Sequence, residues 1–81
     1  MNITFTVNAV KDLEELPVAL RKTTFKQLEL LRRDIRHPSI HAKKYDENNG
    51  VWQGRVNLGY RFYFRIVGSV YRILRVIPHP K

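Results

Sequence analysis

Arginine and aromatic side chains alternate through the last part of the chain, and their spacing suits the binding of a polyanion. Residues 48–81 contain six bases and no acid. The same stretch holds the aromatic residues Trp52, Tyr60, Phe62, Tyr63, Phe64 and Tyr71. Guanidinium groups bind phosphate and aromatic rings stack on bases, so this composition is typical of a nucleic-acid surface. Because an amphipathic strand shows the same alternation, the chemistry depends on which side chains share a face.

Three histidines are the side chains best suited to proton transfer near neutral pH, and they are His37, His41 and His79. His37 and His41 are four residues apart, but the intervening Pro38 argues against a helical metal site. The sequence contains no cysteine, which excludes thiolate zinc sites, disulfides and a cysteine nucleophile. The four glycines are scattered and form no phosphate-binding loop. We therefore predict no metal and no cofactor.

The composition fits one small basic domain. The chain has 81 residues, with 15 Lys and Arg against 7 Asp and Glu, and a net charge of +8. This length predicts a single domain over residues 1–81, and an apolar content of 43% argues against disorder. No apolar run approaches the ~18 residues of a membrane span, and no signal peptide is recognisable. We expect a cytoplasmic protein without a membrane partner. A polyanionic partner and a plain basic domain fit the charge equally well.

Periodicity predicts helices in the first half of the chain and strands in the second. The predicted elements are a strand over 3–7, a short helix over 8–16, a helix over 17–35, a short strand over 41–45, and strands over 51–56, 60–67 and 70–77. Asn8 is the expected cap of the first helix, and Pro17 can open the second. The pattern indicates a two-layer α+β domain with two helices packed on one face of a largely antiparallel, twisted sheet.

The first of two short turns fixes the register between the strands over 51–56 and 60–67. The sequence Asn57-Leu58-Gly59 is typical of a three-residue hairpin loop with its glycine in the left-handed conformation. This loop places Arg55 opposite Arg61 and Trp52 opposite Phe64. The pairing puts the large apolar side chains of both strands on one face of the sheet.

The second turn, Gly68-Ser69, is typical of a two-residue type II′ hairpin. It places Arg65 opposite Arg72 and, further along, Tyr63 opposite Leu74. In this register Arg75 falls on the apolar face, unless it extends to the sheet end, pairs with Asp34, or the register shifts.

The two registers give the sheet two unlike faces. The apolar face, which should pack on the helices, carries Trp52, Phe62, Phe64, Ile66 and Ile73. The other, the arginine face, carries Gln53, Arg55, Asn57, Arg61, Tyr63, Arg65 and Arg72. Like charges directly opposite each other destabilise a sheet by some tenths of a kcal/mol, and a bound anion would relieve both arginine pairs. The alternative is that these side chains extend into water or reach acids from other segments.

The segment over 50–64, which reads GVWQGRVNLGYRFYF, resembles the RelE/ParE toxin superfamily. In these toxins an aromatic-x-x-Arg-Val strand leads through a short turn into Gly-Tyr-Arg and an apolar strand. Similar features in the same order are Leu16-Pro17, a leucine-rich helix around Leu28, His37-Pro38, Lys43-Lys44 and a closing strand followed by His79. The resemblance covers nearly the whole chain and implies a β-α-α-β-β-β-β fold with the far face of the sheet open.

The resemblance also implies a function and partners. It implies the toxin of a type II toxin–antitoxin system, held inactive by a cognate antitoxin protein. RelE-like members are ribosome-dependent, metal-independent mRNA endoribonucleases that inhibit translation, so mRNA on the ribosome is the implied target. ParE-like members instead inhibit DNA gyrase. A basic RNA-binding module without catalytic activity is the further alternative.

Site residues follow from the same resemblance. RNA cleavage without a metal needs a base, an acid, and cations that stabilise the phosphorane. The resemblance implies catalytic roles for Arg61 at the scissile phosphate, Arg55 beside it and His79 in proton transfer, with His37 or His41 as substitutes or additions. The implied RNA contacts are Lys43, Lys44, Tyr63, Arg65, Arg72 and Gln53. The alternatives are a solvated surface for His79 and the two lysines, and simple cover of the sheet for Tyr63.

Overall fold

Two helices and five strands form the fold in a computed structural model that describes residues 1–79; Pro80 and Lys81 lie outside the described residues. In chain order the elements are β1 (Asn2–Phe5), α1 (Val7–Glu15), α2 (Val18–Arg33), β2 (Lys43–Asp46), β3 (Val51–Arg55), β4 (Tyr60–Val67) and β5 (Val70–Pro78). The strands lie in the order β1-β5-β4-β3-β2, and only β1 and β5 pair in parallel. The predicted α+β fold is confirmed. No helix among residues 1–79 is long and apolar enough to cross a membrane.

The core lies between the helices and one face of the sheet. Leu28 and Leu31, one helical turn apart on α2, are buried. Phe62 and Phe64, which point to the same face of β4 because strand side chains alternate, are fully buried. Gly54 on β3 lies directly opposite Phe62, and a Cβ at this glycine would overlap the Phe62 ring. The ring of Phe62 therefore occupies the space of the missing side chain.

The first helix is capped by Thr6 rather than by Asn8, so that prediction was wrong. The Thr6 hydroxyl accepts a hydrogen bond from the Ala9 N–H at 3.1 Å and donates one to the Leu74 carbonyl at 2.9 Å. The cap therefore joins α1 to β5, which lies between β1 and β4 in the sheet, and a local sequence pattern does not reveal this contact. Pro17 precedes α2 as expected.

The hairpin between β3 and β4 has the predicted register, with Arg55 opposite Arg61. Its turn differs from the prediction because Gly59 does not have a positive φ. Instead, the Asn57 side-chain oxygen accepts hydrogen bonds from the N–H groups of Gly59 and Tyr60 at 2.8 and 2.9 Å. In the second turn Gly68 has a φ of 59°, which is compatible with the turn expected there.

The hairpin between β4 and β5 begins in the predicted register, with Arg65 opposite Arg72. A bulge then shifts the pairing, so that Tyr63 lies opposite Arg75 and not opposite Leu74 as predicted. The shift also corrects the proposed partner of Arg75. Its Nε and Nη2 donate to the Asp12 carboxylate on α1 at 2.7 and 3.1 Å, and not to Asp34.

Asp12 thus joins α1 to β5, because the same carboxylate also accepts the Val76 N–H at 2.9 Å. Burial of this carboxylate raises its pKa, but the hydrogen bonds from Arg75 and Val76 outweigh burial and hold the pKa of Asp12 below 3.8. A folded-state pKa below the unfolded value gives stability that is present at neutral pH and is lost as the pH falls through the lowered pKa.

We expect Asp12→Asn to lower the free energy of unfolding at neutral pH, because the ion pair with Arg75 is lost. The loss should be only about 1 kcal/mol, because solvent partly screens Arg75. The difference from the wild type should shrink as the pH falls below 3.8, where the unfolded-state carboxylate becomes protonated. Urea denaturation at several pH values measures it, with the exposed Glu14→Gln as the control. Equal effects of the two substitutions at neutral pH would contradict the role of Asp12.

Candidate functional site

A cavity of about 360 Å³ lies on the arginine face, at the end of the sheet where β3 ends and β4 begins. Six polar residues line it, and we call it the basic cavity: His41, Lys43, Gln53, Arg55, Arg61 and His79. No aspartate or glutamate of the described part of the chain is among the lining residues. The cavity therefore combines three basic residues with two histidines.

Strand pairing brings these residues together. Arg55 and Arg61 are directly paired across β3 and β4, and Lys43 on β2 lies opposite Gln53 on β3. The His79 N–H donates to the Gly59 carbonyl at 2.8 Å, which holds the residue after β5 beside the β3–β4 turn. Residues far apart in the sequence therefore meet at one end of the sheet.

Arg61 is the most firmly held cation of the cavity. Its exposed fraction is only 8%. Its Nη1 donates to the backbone carbonyls of Asn57, Leu58 and Tyr60, at 2.6, 3.4 and 2.9 Å. These bonds fix the guanidinium and also hold the turn between the two strands. A fixed cation needs little rearrangement when negative charge develops next to it.

Arg55 lines the same cavity and carries a buried donor without a partner in the described part of the chain. Its Nε is buried and has no hydrogen-bond partner within residues 1–79. A buried donor without a partner is unfavourable, so the Nε of Arg55 is a strained feature of the cavity wall. The backbone of Arg55 is fully engaged, because its N–H donates to the Ile40 carbonyl at 2.6 Å and its carbonyl accepts from Gln27 at 2.9 Å.

Comparison of the sequence with family models and with curated proteins finds no match. The fold does match solved structures. The YoeB/ParE toxin from Agrobacterium tumefaciens aligns with a TM-score of 0.83 at 16% identity, over 99% of this chain and 100% of that one. A chain of the toxin–antitoxin complex RelBE2 from Mycobacterium tuberculosis aligns with a TM-score of 0.77 at 26% identity, over 96% of both chains. The RelE–RelB complex from Pyrococcus horikoshii gives 0.79 at 18% identity, over 95% and 92%.

The chain has the RelE/ParE toxin fold. The resemblance predicted from the sequence is confirmed at this level. Within this RelE/ParE fold, the arginine face divides into two parts. Arg55 and Arg61 line the basic cavity, whereas Arg65 and Arg72 are exposed and do not line it.

One acid, Asp46, acts on the arginine face at its Arg65 end. Hydrogen bonds from Asn49 lower the pKa of Asp46, and the charge of Arg65 lowers it further. The ion pairs within residues 1–79 are those of Arg32 and Arg33 with Glu29 and of Arg75 with Asp12. The hydrogen bond from Arg32 is the main reason that the pKa of Glu29 falls to about 2. The arginines of the basic cavity are in none of these pairs.

The two adjacent lysines of β2 lie on opposite faces of the RelE/ParE fold. Lys43 lines the basic cavity. Lys44 lies opposite Trp52, and its Nζ is 5.7 Å from the centre of the Trp52 ring. The structure therefore does not bring Lys44 to the cavity, because neighbouring residues of a strand point to opposite faces.

Tyr63 is also absent from the cavity lining. It is only 6% exposed, because the ring of Tyr45 packs edge-on against it with the ring centres 4.9 Å apart. Tyr63 therefore covers the sheet and is not open to a stacking base. Of the two interpretations of the sequence, this agrees with simple cover of the sheet. Burial raises the pKa of Tyr63. Gln53 is buried yet lines the cavity.

Sequence reasoning did not distinguish His41 from His37. His41 lines the basic cavity, whereas His37 does not. The His37 ring nitrogen Nδ1 instead contacts the Ser39 hydroxyl at 3.0 Å. The available signal was the position of His41 at the start of the predicted short basic strand. Residues 1–79 contain no cluster of three His, Asp or Glu that could hold a metal ion.

Proposed function

We propose that the chain is the toxin of a type II toxin–antitoxin system, and that it is a metal-independent endoribonuclease that cleaves mRNA on the ribosome and so inhibits translation. The observation that supports this most strongly is the basic cavity, where Arg55, Arg61 and His79 meet without an acid among the lining residues. The toxin and toxin–antitoxin complexes of similar fold support a cognate antitoxin as partner. Its place of action is the cytoplasm, where ribosomes are found.

The proposed reaction is an internal transesterification of RNA. The 2′-hydroxyl loses its proton, and its oxygen attacks the adjacent phosphorus. The bond from phosphorus to the 5′-oxygen breaks, and this oxygen takes up a proton. The products are a 2′,3′-cyclic phosphate and a 5′-hydroxyl. One P–O bond replaces another and one proton moves, so the step requires no cofactor.

The cavity residues have matching roles in this reaction. Arg61 and Arg55 stabilise the negative charge that accumulates on the phosphorane oxygens, since guanidinium groups bind phosphate by charge-assisted hydrogen bonds. The fixed Arg61 provides a preorganised cation, and Arg55, paired with it across the two strands, provides a second guanidinium. The imidazole of His79 transfers a proton, which histidine does well near neutral pH. Lys43 and Gln53 hold the RNA backbone, and Arg65 and Arg72 extend the basic surface.

Lys43 and Lys44 provide a matched test of where the RNA lies. We expect Lys43→Ala to weaken binding to single-stranded RNA several-fold and to reduce its salt dependence, because one phosphate contact is lost. Lys44→Ala should leave both nearly unchanged, because its ammonium group lies over Trp52 on the other face. Fluorescence anisotropy at several salt concentrations measures both variants. Equal losses in the two variants would contradict binding at the basic cavity.

Controlled expression in a bacterial host tests the proposed function. We expect growth arrest that co-expression of the cognate antitoxin relieves, and primer extension should reveal mRNA cuts that depend on codon position. Intact mRNA with altered plasmid supercoiling would favour a ParE-like gyrase inhibitor instead. Normal growth with intact mRNA and normal supercoiling would contradict both toxin activities and favour a basic RNA-binding module without catalytic activity.

A further inference from the structure

His41 has an unusual backbone conformation at the edge of the basic cavity. Its φ is 49°, and it is the one residue other than glycine with a positive φ within residues 1–79. This left-handed region is unfavourable for most side chains, and residues remain in it only when their surroundings hold them there. Such residues are common at functional sites. His41 lines the same cavity as His79, Arg55 and Arg61.

Buried hydrogen bonds hold the segment before His41 against β3. The carbonyl of Ile40, a fully buried residue, accepts the Arg55 N–H at 2.6 Å. The buried Gln27 side chain on α2 donates from Nε2 to the carbonyls of Ser39 and Arg55, at 3.1 and 2.9 Å. One amide group of the helix thus joins the loop that carries His41 to the strand that carries Arg55. The position of His41 relative to the phosphate-binding arginine is therefore fixed from within the core.

The charged groups that face His41 are all basic. They are Lys43 from β2, Arg55 from β3 and Arg61 from β4, and the other titratable group of the cavity is His79 after β5. No acid from any of these elements lines the cavity. Lysine and arginine ordinarily keep their protons near neutral pH, so the two imidazoles are the groups of the cavity that can exchange one there.

We propose that His41 and His79 together form the acid–base pair of the cleavage reaction, an inference that rests on the proposed function. One imidazole is neutral and takes the proton of the 2′-hydroxyl, whose oxygen forms the new bond to phosphorus. The other is protonated and gives its proton to the 5′-oxygen, which leaves with the electron pair of the broken bond. The first histidine ends protonated and the second neutral, and proton exchange with water restores both.

The pH dependence of cleavage tests the pair. Single-turnover cleavage of mRNA in programmed ribosomes is measured across the pH range in which histidine titrates, for the wild type and for His41→Asn, His79→Asn and His37→Asn. Asparagine is chosen because it tolerates the left-handed conformation of His41 and cannot transfer a proton near neutral pH. The melting temperature of each variant confirms that it is folded.

We expect a bell-shaped rate profile for the wild type, as a base and an acid together produce. His41→Asn should lose one limb of the bell and His79→Asn the other, each with a fall in rate of about 100-fold or more and little change in RNA affinity. His37→Asn should keep the full profile, because His37 does not line the cavity.

The outcomes separate the inference from the function on which it rests. If the wild type cleaves and His41→Asn retains the complete bell with a rate close to that of the wild type, the histidine pair is wrong while the proposed function stands. If the wild type leaves mRNA intact under every condition, both are wrong. A loss of RNA affinity in His41→Asn as large as its loss of rate would make His41 a binding residue and overturn its role in proton transfer.

Discussion

Arg61→Ala is expected to lower the rate of mRNA cleavage by about 100-fold to 1,000-fold, which is the usual loss when one preorganised donor to a developing charge is removed. The guanidinium of Arg61 is fixed by backbone carbonyls beside the basic cavity, whereas Arg55 makes no comparable side-chain hydrogen bonds within residues 1–79. The affinity for RNA should fall much less, because Lys43 and Arg55 remain. Single-turnover cleavage and anisotropy binding measure the two quantities separately.

The same substitution should also affect stability, because Arg61 holds the β3–β4 turn. Loss of its hydrogen bonds to Asn57 and Tyr60 is expected to lower the free energy of unfolding by about 1–2 kcal/mol. The variant must therefore be assayed well below its melting temperature. Lys26→Ala, on the exposed surface of α2, is the control and should match the wild type in both rate and stability. A folded Arg61→Ala protein with the wild-type rate would place the reaction elsewhere.

Gly54→Ala is expected to have the largest effect on stability, with a loss of about 3 kcal/mol or more in the free energy of unfolding. The added methyl group would overlap three atoms of the Phe62 ring. Phe62 is fully buried and packs against Phe64 with the ring centres 5.6 Å apart, so the ring cannot move aside cheaply. Urea denaturation measures the change.

Two further variants control this experiment. Gly59→Ala should change stability by less than about 0.5 kcal/mol, because its φ is not positive and its Cβ would meet only the Asn57 side chain at 3.8 Å. Phe62→Leu should be less harmful in the presence of Gly54→Ala than in its absence, since the smaller side chain makes room for the methyl group. Additive losses in the double variant would show that the clash is not the cause.

The sequence alone predicted the structure correctly where local rules determine it. Strand β4 and the pairing of Arg55 with Arg61 were predicted correctly, because alternation fixes the faces and a short turn fixes the register. A register shift near Arg75 was one of three alternatives, and the sequence could not select it, since the partners of the bulge at Leu74 come from distant residues. The Thr6 hydroxyl donates to the Leu74 carbonyl, and the Asp12 carboxylate accepts a hydrogen bond from the Val76 N–H. The local sequence of β5 does not predict either contact.

The candidate site was predictable to the same extent. The arginine face followed from alternation, and two of its arginines do line one cavity. The sequence left open whether Tyr63 stacks on a base or covers the sheet, because its burial depends on Tyr45, which lies at the irregular pairing of β2 with β3. The special position of His41 depends on Gln27, a helix residue whose role becomes visible only when the loop and β3 are packed against it.

End-group analysis of mRNA tests the central claim most directly. Purified protein is added to ribosomes programmed with a defined mRNA, and the new 3′ and 5′ ends are identified by mass spectrometry. Cleavage by the basic cavity predicts 2′,3′-cyclic phosphate and 5′-hydroxyl ends, formed at equal rates by the wild type and by Lys26→Ala and about 100-fold or more slowly by Arg61→Ala. Intact mRNA, or ends that Arg61→Ala produces at the wild-type rate, would contradict it.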